Sequence, residues 1–397
     1  MAWLGTGFKR KLSMEKKSVI EFQLVDKVNA VLQHIKSTFI GKDDIIDLMG
    51  ICLAGRENLF LLGPPGTAKS ALVRELARLL QGKTFEYLLT RFTEPNELFG
   101  PFDIRRLRDG DLVTNTEGML PEAHLIFLDE LLNANSAILN SLLMVLNERI
   151  FRRGRETKNL PALMIVGASN HLPEEEALQA LFDRFLIRVR CDYVDPHHLN
   201  DVLDAGWLLE QKKSGDIPGI ATEEIRQLQS LIPTVDMQEI RPYYLDLIEK
   251  LRNAGVQVSD RRAVKLQRLI AASAILCKRT KAYRSDMWVL RYIWDTDEQR
   301  EVIAGIVNAE LEEEKEQEQL HPRAAINSAP NADDIYKEVM QMTGQWKDPV
   351  TTGAERSVIK DRLRYLNGRC EWIRNVDQRN YVLKPIDELW QQIMHAE

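Results

Sequence analysis

NLFLLGPPGTAKSAL, from Asn58 to Leu72, is the stretch whose reading decides the fold. Leu59 to Leu62 is an apolar run too short for a helix and typical of a buried parallel strand. Gly63-Pro64-Pro65-Gly66-Thr67-Ala68-Lys69-Ser70 then fits G-x-x-x-x-G-K-[ST], and Ala71 opens a helical pattern that runs to Leu80. Strand, glycine loop and helix in that order are the setting a phosphate-binding loop requires. Gly63 and Gly66 let backbone N–H groups face phosphate oxygens, and the helix N-terminus adds favourable charge. Lys69 can reach β- and γ-phosphates, and the Ser70 hydroxyl can hold Mg2+.

Outward from this loop, His124 to Glu130 (HLIFLDE) is four apolar residues ending in two acids. About 60 residues beyond a phosphate loop, such a strand delivers carboxylates to the edge of an open α/β sheet where ligands bind. Asp129 is then placed for Mg2+, and Glu130 to orient and polarise an attacking water. Ala162 to Ala168 is a further buried strand ending at Ser169-Asn170, where an Asn is either a turn residue or a γ-phosphate sensor. Phe85 to Leu89 reads as a second strand, and Leu181 to Val189 closes a helix and starts a fifth.

At 397 residues the chain is long enough for two or three domains. Its 44% hydrophobic and 28% charged residues are those of a soluble globular protein, and a net charge of -6 gives no global reason to expect nucleic acid. Four cysteines without C-x-x-C spacing read as buried free thiols of a reducing cytoplasm. No apolar run approaches the ~18 residues of a membrane span. Met1 to Lys17 reads as a loose tail, with a basic docking arm as the lesser reading.

Val19 to Phe39 has helical spacing, broken at Phe39-Ile40-Gly41-Lys42, and Asp43 to Ala54 is a buried helix feeding the first strand. Thr93 to Pro121 suggests a β-hairpin insert turning at Arg108 to Asp111. Asn135 to Asn147 is an amphipathic helix. Arg149 to Lys158 is a hairpin about Gly154, whose basic residues line a channel or are solvated. Beyond Tyr193 helices dominate. Asp236-x-x-Glu239 and Thr296-x-x-Gln299 read as capping boxes, and Ser259 or Asp260 as the cap of a helix from Arg261 to Lys278. His321 to Asp333 is the linker candidate, and a Gly/Pro/Thr stretch interrupts the tail at Gly344 to Gly353. Trp346, Trp372 and Trp390 imply that this tail buries something, its own core or a partner.

Together these motifs resemble the MoxR group of AAA+ ATPases, and within it the RavA-like proteins. The resemblance rests on GPPGTAKS (Gly63 to Ser70), TRFTEPNELFGPFDI (Thr90 to Ile104) and LPEAHLIFLDE (Leu120 to Glu130). ANSAILNSLLMVLNERIFRRG (Ala134 to Gly154), VGASNHLPEEEALQALFDRFLIR (Val166 to Arg188) and VSDRRAVKLQRL (Val258 to Leu269) extend it. It implies an α/β P-loop module of five parallel strands ordered 5-1-4-3-2, with helices on both faces, a helical lid over the nucleotide and a mostly helical C-terminal extension. The implied divisions are a tail at 1–17, a nucleotide-binding domain at 18–192, a lid at 193–281 and the extension at 282–397, with a linker near 321–334. Gly63 to Ala71 would bind the nucleotide, that is Gly63, Pro64, Pro65, Gly66, Thr67, Ala68, Lys69, Ser70 and Ala71. Ser70 and Asp129 would hold the metal, and Lys69, Glu130, Asn170 (sensor 1) and Arg184 would serve catalysis. Arg184 matches the arginine finger acting on a neighbouring subunit. Arg261, or the adjacent Arg262, matches sensor 2.

The function implied is an ATP- and Mg2+-dependent ring ATPase, a cytoplasmic hexamer that remodels or matures client proteins beside a partner with a von Willebrand factor A domain. Two rivals stand beside it. One is a nucleotide-gated scaffold with negligible turnover. The other is a nucleic-acid-dependent motor, whose channel would be lined by Arg149, Arg152, Arg153 and Arg155.

Overall fold

A computed structural model describes residues 22–103, 105–106, 113–153, 156–194, 198–211, 219–312, 321–324, 332–347, 356, 359–360, 362–363, 366–367, 370 and 376–395. The expected tail at 1–17, the turn at 108–111, Gly154, Arg155 and Trp372 fall outside them.

Five parallel strands carry the core: β1 Leu59–Leu62, β2 Thr84–Leu88, β3 Leu125–Asp129, β4 Met164–Ser169 and β5 Ile187–Arg190. Their spatial order is β2-β3-β4-β1-β5, the expected 5-1-4-3-2 read from the other edge. Leu59 lies opposite both Val166 and Ile187, and Leu125 opposite both Met164 and Thr84. Every residue of β1 and β4 is buried. That is why they read as unbroken apolar runs, with helices covering both faces. Edge strand β2 alternates instead, burying Phe85 and exposing Thr84, Glu86 and Leu88.

Because the strands are parallel, the sheet has two distinct edges. At the C-terminal edge lie Gly63, Glu130 and Asn170, each just after its strand. At the N-terminal edge Asn58 donates from Nδ2 to the carbonyls of Arg184 (2.9 Å) and Leu146 (3.2 Å).

The insert and the hairpin of Ile150–Arg153 with Glu156–Asn159 are fastened together. Phe102 pairs antiparallel with Thr114, and Thr114 N–H donates to Glu156 (3.1 Å). Arg153 donates to Gly100 O (2.8 Å) and Asn96 Oδ1 (2.7 Å) while its guanidinium lies 3.8 Å from the Phe102 ring centroid. The charge is thus spent on holding the base of the insert. Arg149 is half-buried, donates to Asn58 Oδ1 (2.7 Å), and burial of its guanidinium draws that group down to about 10. The channel-lining reading is therefore corrected for Arg149 and Arg153. Arg152 is the member of that set which the described residues leave exposed.

Beyond helices Leu199–Gln211 and Thr222–Leu231, the helical part after the sheet continues as Arg241–Asn253, Asp260–Leu276, the 3-10 segment Arg284–Tyr292 and Asp297–Glu312. Ser259 caps helix Asp260–Leu276 through Arg262 N–H (3.2 Å). The capping box expected at Asp236 is a correction: Asp236 accepts from Gln238 N–H (2.9 Å) in a turn, and the helix opens at Arg241 with Pro242 in its first turn. Arg188 of β5 is fully buried and pins this part to the sheet. It donates to Trp294 O (2.7 Å), Ile293 O and Phe182 O, and pairs with Asp295.

The chain divides into two compact units, 1–325 and 326–397. The linker reading is corrected at its start, because His321 is buried and stacks on Trp288 at 5.1 Å. Arg323 pairs there with Asp43 (3.2 Å), Asp44 (2.8 Å) and Asp47 (2.6 Å). In the second unit, helix Ala332–Lys347 runs through Gly344, which corrects the interruption expected from that residue; its remainder, 348–353, lies outside the described residues. Ile335, Val339, Met342 and Trp346 pack against Val382, Ile386, Leu389 and Ile393 of helix Val376–His395. Trp346 therefore fills the tail's own core.

Candidate nucleotide site

Gly63 is required by its neighbour, since a Cβ there would sit 2.2 Å from Cys191 O. Gly66 has φ +81 and nothing within 4 Å of its would-be Cβ, so the loop stands open as a cradle of N–H groups. Thr67 Oγ1 donates to Pro64 O (2.8 Å) and sets the turn. Ala68 is also left-handed, at φ 66, and Lys69 opens helix Lys69–Leu79. Ser70 and Ala71 follow within its first turn, so the helix N-terminus faces the cradle.

Lys69 is buried, and its Nζ donates to Gly63 O (2.5 Å), Pro64 O (3.0 Å) and Asn170 Oδ1 (2.8 Å). Asn170 in turn donates from Nδ2 to Glu130 Oε1. Ser70 Oγ donates to Asp129 Oδ2 (2.8 Å). The sequence-selected residues Lys69, Ser70, Asp129, Glu130 and Asn170 are thus brought together, from two strand ends and one helix start. Burial raises the Glu130 carboxyl above its ordinary range and the Asp129 charge adds to this, while Lys69 and His171 oppose it. Hard oxygen donors at Ser70 and Asp129 suit Mg2+, and the open cradle suits phosphate, so the residues present fit both.

The sequence reading passed over one flank of the site. Phe39 to Lys42, taken only as a helix break, turns at Gly41 (φ +71) and packs against Val194. Lys42 donates to Asp192 O, and Tyr193 donates to Pro65 O (3.2 Å). Two loops from distant sequence thereby flank the P-loop. The left-handed Gly41 was the available signal, since an Ile-Gly between helices asks for a turn.

Arg184 and Arg261 are not brought to this site. Arg184 lies where Asn58 holds its carbonyl, at the N-terminal edge of β1. The four residues of β1 separate that edge from Gly63, a span of roughly 13 Å. Its Nε is buried with no hydrogen-bond partner among the described residues. Arg261 reaches Asn147 Oδ1 (3.4 Å) on the same edge. Its helix is seated there by Lys265 on Glu57 (2.9 Å) and Arg268 on Gly55 O (3.2 Å). The expectation that the lid brings Arg261 over this chain's own nucleotide is therefore corrected. Arg262 is committed elsewhere, to Asp295 and to the carbonyls of Gln257 and Ile293, which leaves Arg261 as the exposed member of the pair.

Residues 26–230 match the family described as the MoxR domain in the MoxR-vWA-beta-propeller ternary systems, and residues 237–307 match an AAA lid domain. An uncharacterised protein of Methanocaldococcus jannaschii is 35% identical over 287 residues, covering 72% of this chain and 74% of its own. Chaperone MoxR1 of Mycobacterium tuberculosis is 26% identical over 183 residues, 45% of this chain and 48% of its own. The crystal structure of a proposed ATPase from Cytophaga hutchinsonii shares the fold with TM-score 0.62 at 18% identity, covering 75% of this chain and 98% of that one.

Proposed function

The chain belongs to the MoxR family of AAA+ ATPases, and from that premise we propose that it hydrolyses ATP with Mg2+ as a homo-oligomeric ring, a cytoplasmic hexamer that remodels or matures a client protein. The observation that carries this reading is the Lys69–Asn170–Glu130 chain beside the Ser70–Asp129 pair. Lys69 exchanges the Gly63 and Pro64 carbonyls for β- and γ-phosphate oxygens when substrate enters. Asn170, released from Lys69, turns to the γ-phosphate. Glu130, released from Asn170, orients the attacking water and draws on its proton through a carboxylate oxygen. Ser70 and Asp129 would hold Mg2+, which would supply positive charge against the phosphate oxygens.

Arg184 and Arg261, a strand's length from this chain's own P-loop, serve the nucleotide of the next subunit. An arginine finger contributes on the order of 10³–10⁵ in rate in comparable enzymes, so the isolated subunit is a poor ATPase. The family description adds a von Willebrand factor A protein and a β-propeller protein as partners, and we carry both over as the partners proposed here.

The nucleic-acid motor loses support once Arg149 and Arg153 are committed to internal bonds. Steady-state turnover per chain, measured across protein concentrations, tests the proposal. It is expected to rise steeply with concentration and to ignore added DNA or RNA. Negligible turnover at every concentration would leave the scaffold reading instead.

A further inference from the structure

Asn58 stands at the foot of β1, one residue before Leu59. At 1% exposure it can touch no nucleotide, so whatever it does it does through its partners. Its Nδ2 donates to Arg184 O (2.9 Å) and Leu146 O (3.2 Å), and its Oδ1 accepts from Arg149 Nη2 (2.7 Å). A guanidinium only donates and a carbonyl only accepts, so one orientation of the amide satisfies all three. The side chain thereby joins three pieces of chain: the strand that carries the P-loop, the end of helix Ser136–Glu148 with Arg149 as its cap, and the turn that carries Arg184.

The turn itself is closed by Arg184 N–H on Leu181 O (3.1 Å) and Phe185 N–H on Phe182 O (3.0 Å). Phe182 and Phe185 pack edge-on against Phe60 of β1, with ring centroids 4.9 and 5.3 Å away. Apolar packing of this kind is not directional, so it sets how far the turn lies from the sheet rather than how it is aimed. Hydrogen bonds do the aiming. Arg188 takes the Phe182 carbonyl (3.2 Å), and Asn58 takes the carbonyl of Arg184 itself. At its other end the same fully buried strand delivers Gly63, so Asn58 sets the arginine's backbone in register with the P-loop strand.

We infer that Asn58 is a positioning residue for Arg184: through the carbonyl it sets the direction from which that guanidinium meets a neighbour's nucleotide, and Arg149 holds the amide in its donating orientation. The inference rests on the reading that Arg184 serves the nucleotide of the next subunit. A displacement of about 1 Å at a catalytic group costs on the order of 10²-fold in rate. Because Arg184 acts on the reaction and not on this chain's own pocket, the loss falls on kcat and leaves nucleotide binding alone.

Two full-chain variants test it. Asn58→Asp keeps an acceptor for Arg149 and puts an oxygen where the donor faced Arg184 O, while Asn58→Ser shortens the reach to that carbonyl. The readouts are steady-state turnover, equilibrium binding of a non-hydrolysable ATP analogue, and turnover after mixing with Lys69→Ala chains, which bring an intact Arg184 and no working pocket. In whichever variant melts as a folded chain, kcat is expected to fall on the order of 10- to 100-fold. KM and analogue affinity are expected to stay unchanged, and mixing to restore turnover as it does for Arg184→Ala. A merely structural fault at the foot of β1 would instead weaken the chain's own pocket at the far end of the strand, which a donated Arg184 cannot mend. Wild-type kcat, loss of analogue affinity, failure of both variants to fold, or no rescue where the Arg184→Ala mixture recovers overturns the inference and leaves the reading of Arg184 standing. No recovery in the Arg184→Ala mixture, in assemblies shown to contain both chains, overturns both.

Discussion

Glu130 sits at φ 50, left-handed for a residue with a Cβ. Such a backbone costs on the order of 1–3 kcal/mol and persists where surrounding structure enforces it. Here the Asp129 Oδ1 bond to Glu130 N–H (3.0 Å) and the Asn170 bond to its carboxylate fix both ends. The motif made the residue type legible; the backbone conformation follows from neighbours that no local pattern contains. Because burial raises its pKa in the folded chain, Glu130 favours the fold below the ordinary glutamate range and loses that favour as pH rises through the raised value. At neutral pH its charge therefore works against stability. Glu130→Gln is expected to bind ATP, to abolish turnover and to raise the Tm of the nucleotide-free chain. Equilibrium nucleotide binding, turnover and thermal melts read the three effects separately. Wild-type kcat should fall on the acid side at a pH above the ordinary glutamate range, since the working form is the carboxylate.

Between elements, the fold relies on buried arginines. Arg188 joins β5 to the segment around Ile293 to Asp295, and burial together with the Arg262 charge lowers it to about 10 despite Asp295. A guanidinium at full burial is tolerated because several acceptors meet it and the Phe182 ring lies 4.3 Å from its centre. Arg188→Met would strand those carbonyls and leave Asp295 with Arg262 alone. The expected loss is about 3 kcal/mol in urea unfolding, at the low end for breaking a buried pair. Loss below ~0.5 kcal/mol would mean that the junction is held by packing around Trp288 and Trp294 instead. Asn135 plays a comparable part for the loop after β2. It caps helix Ser136–Glu148 through Ile138 N–H (3.2 Å) and donates to Arg91 O and Thr93 O. The cap was readable from Asn before an apolar run; the tether to Thr93 was not.

At the scale of the molecule, the nucleotide pocket and the arginines proposed to complete it lie on opposite edges of one sheet. Arg184→Ala is expected to remove turnover while leaving nucleotide affinity of the single subunit unchanged. Mixed with Lys69→Ala chains it should regain activity, because an intact pocket can then meet an intact Arg184. Absence of recovery in rings shown to contain both chains would place Arg184 in a structural role. Truncation tests the second unit. A chain ending at Ala325 keeps the Arg323 cluster with Asp43, Asp44 and Asp47 and is expected to retain turnover and assembly while losing the partner. A chain ending at Leu320 lacks that cluster, and is expected to melt at lower temperature. Both are read by melting, turnover and co-purification, and collapse of the longer one would make the second unit structural.

The P-loop, the acid-tipped strand and the Asn170 turn were all legible in the sequence, because each is local. A short apolar run, a glycine pattern and a polar tip fit within a dozen residues, and backbone chemistry ties them to strand ends. The strand order came from the family resemblance, and the register recovers it. What sequence alone could not decide was the fate of the basic residues. Arg149, Arg153 and Arg262 look like solvent-facing cations in any local window, yet acceptors far away in the chain (Asn58, Gly100, Asp295) consume them. Arg261 was matched to sensor 2 of the lid by the family resemblance. Only the seating of its helix on Glu57 and Gly55 puts it at the far edge. A charge written in the sequence is a donor without an address, and tertiary packing supplies the acceptor.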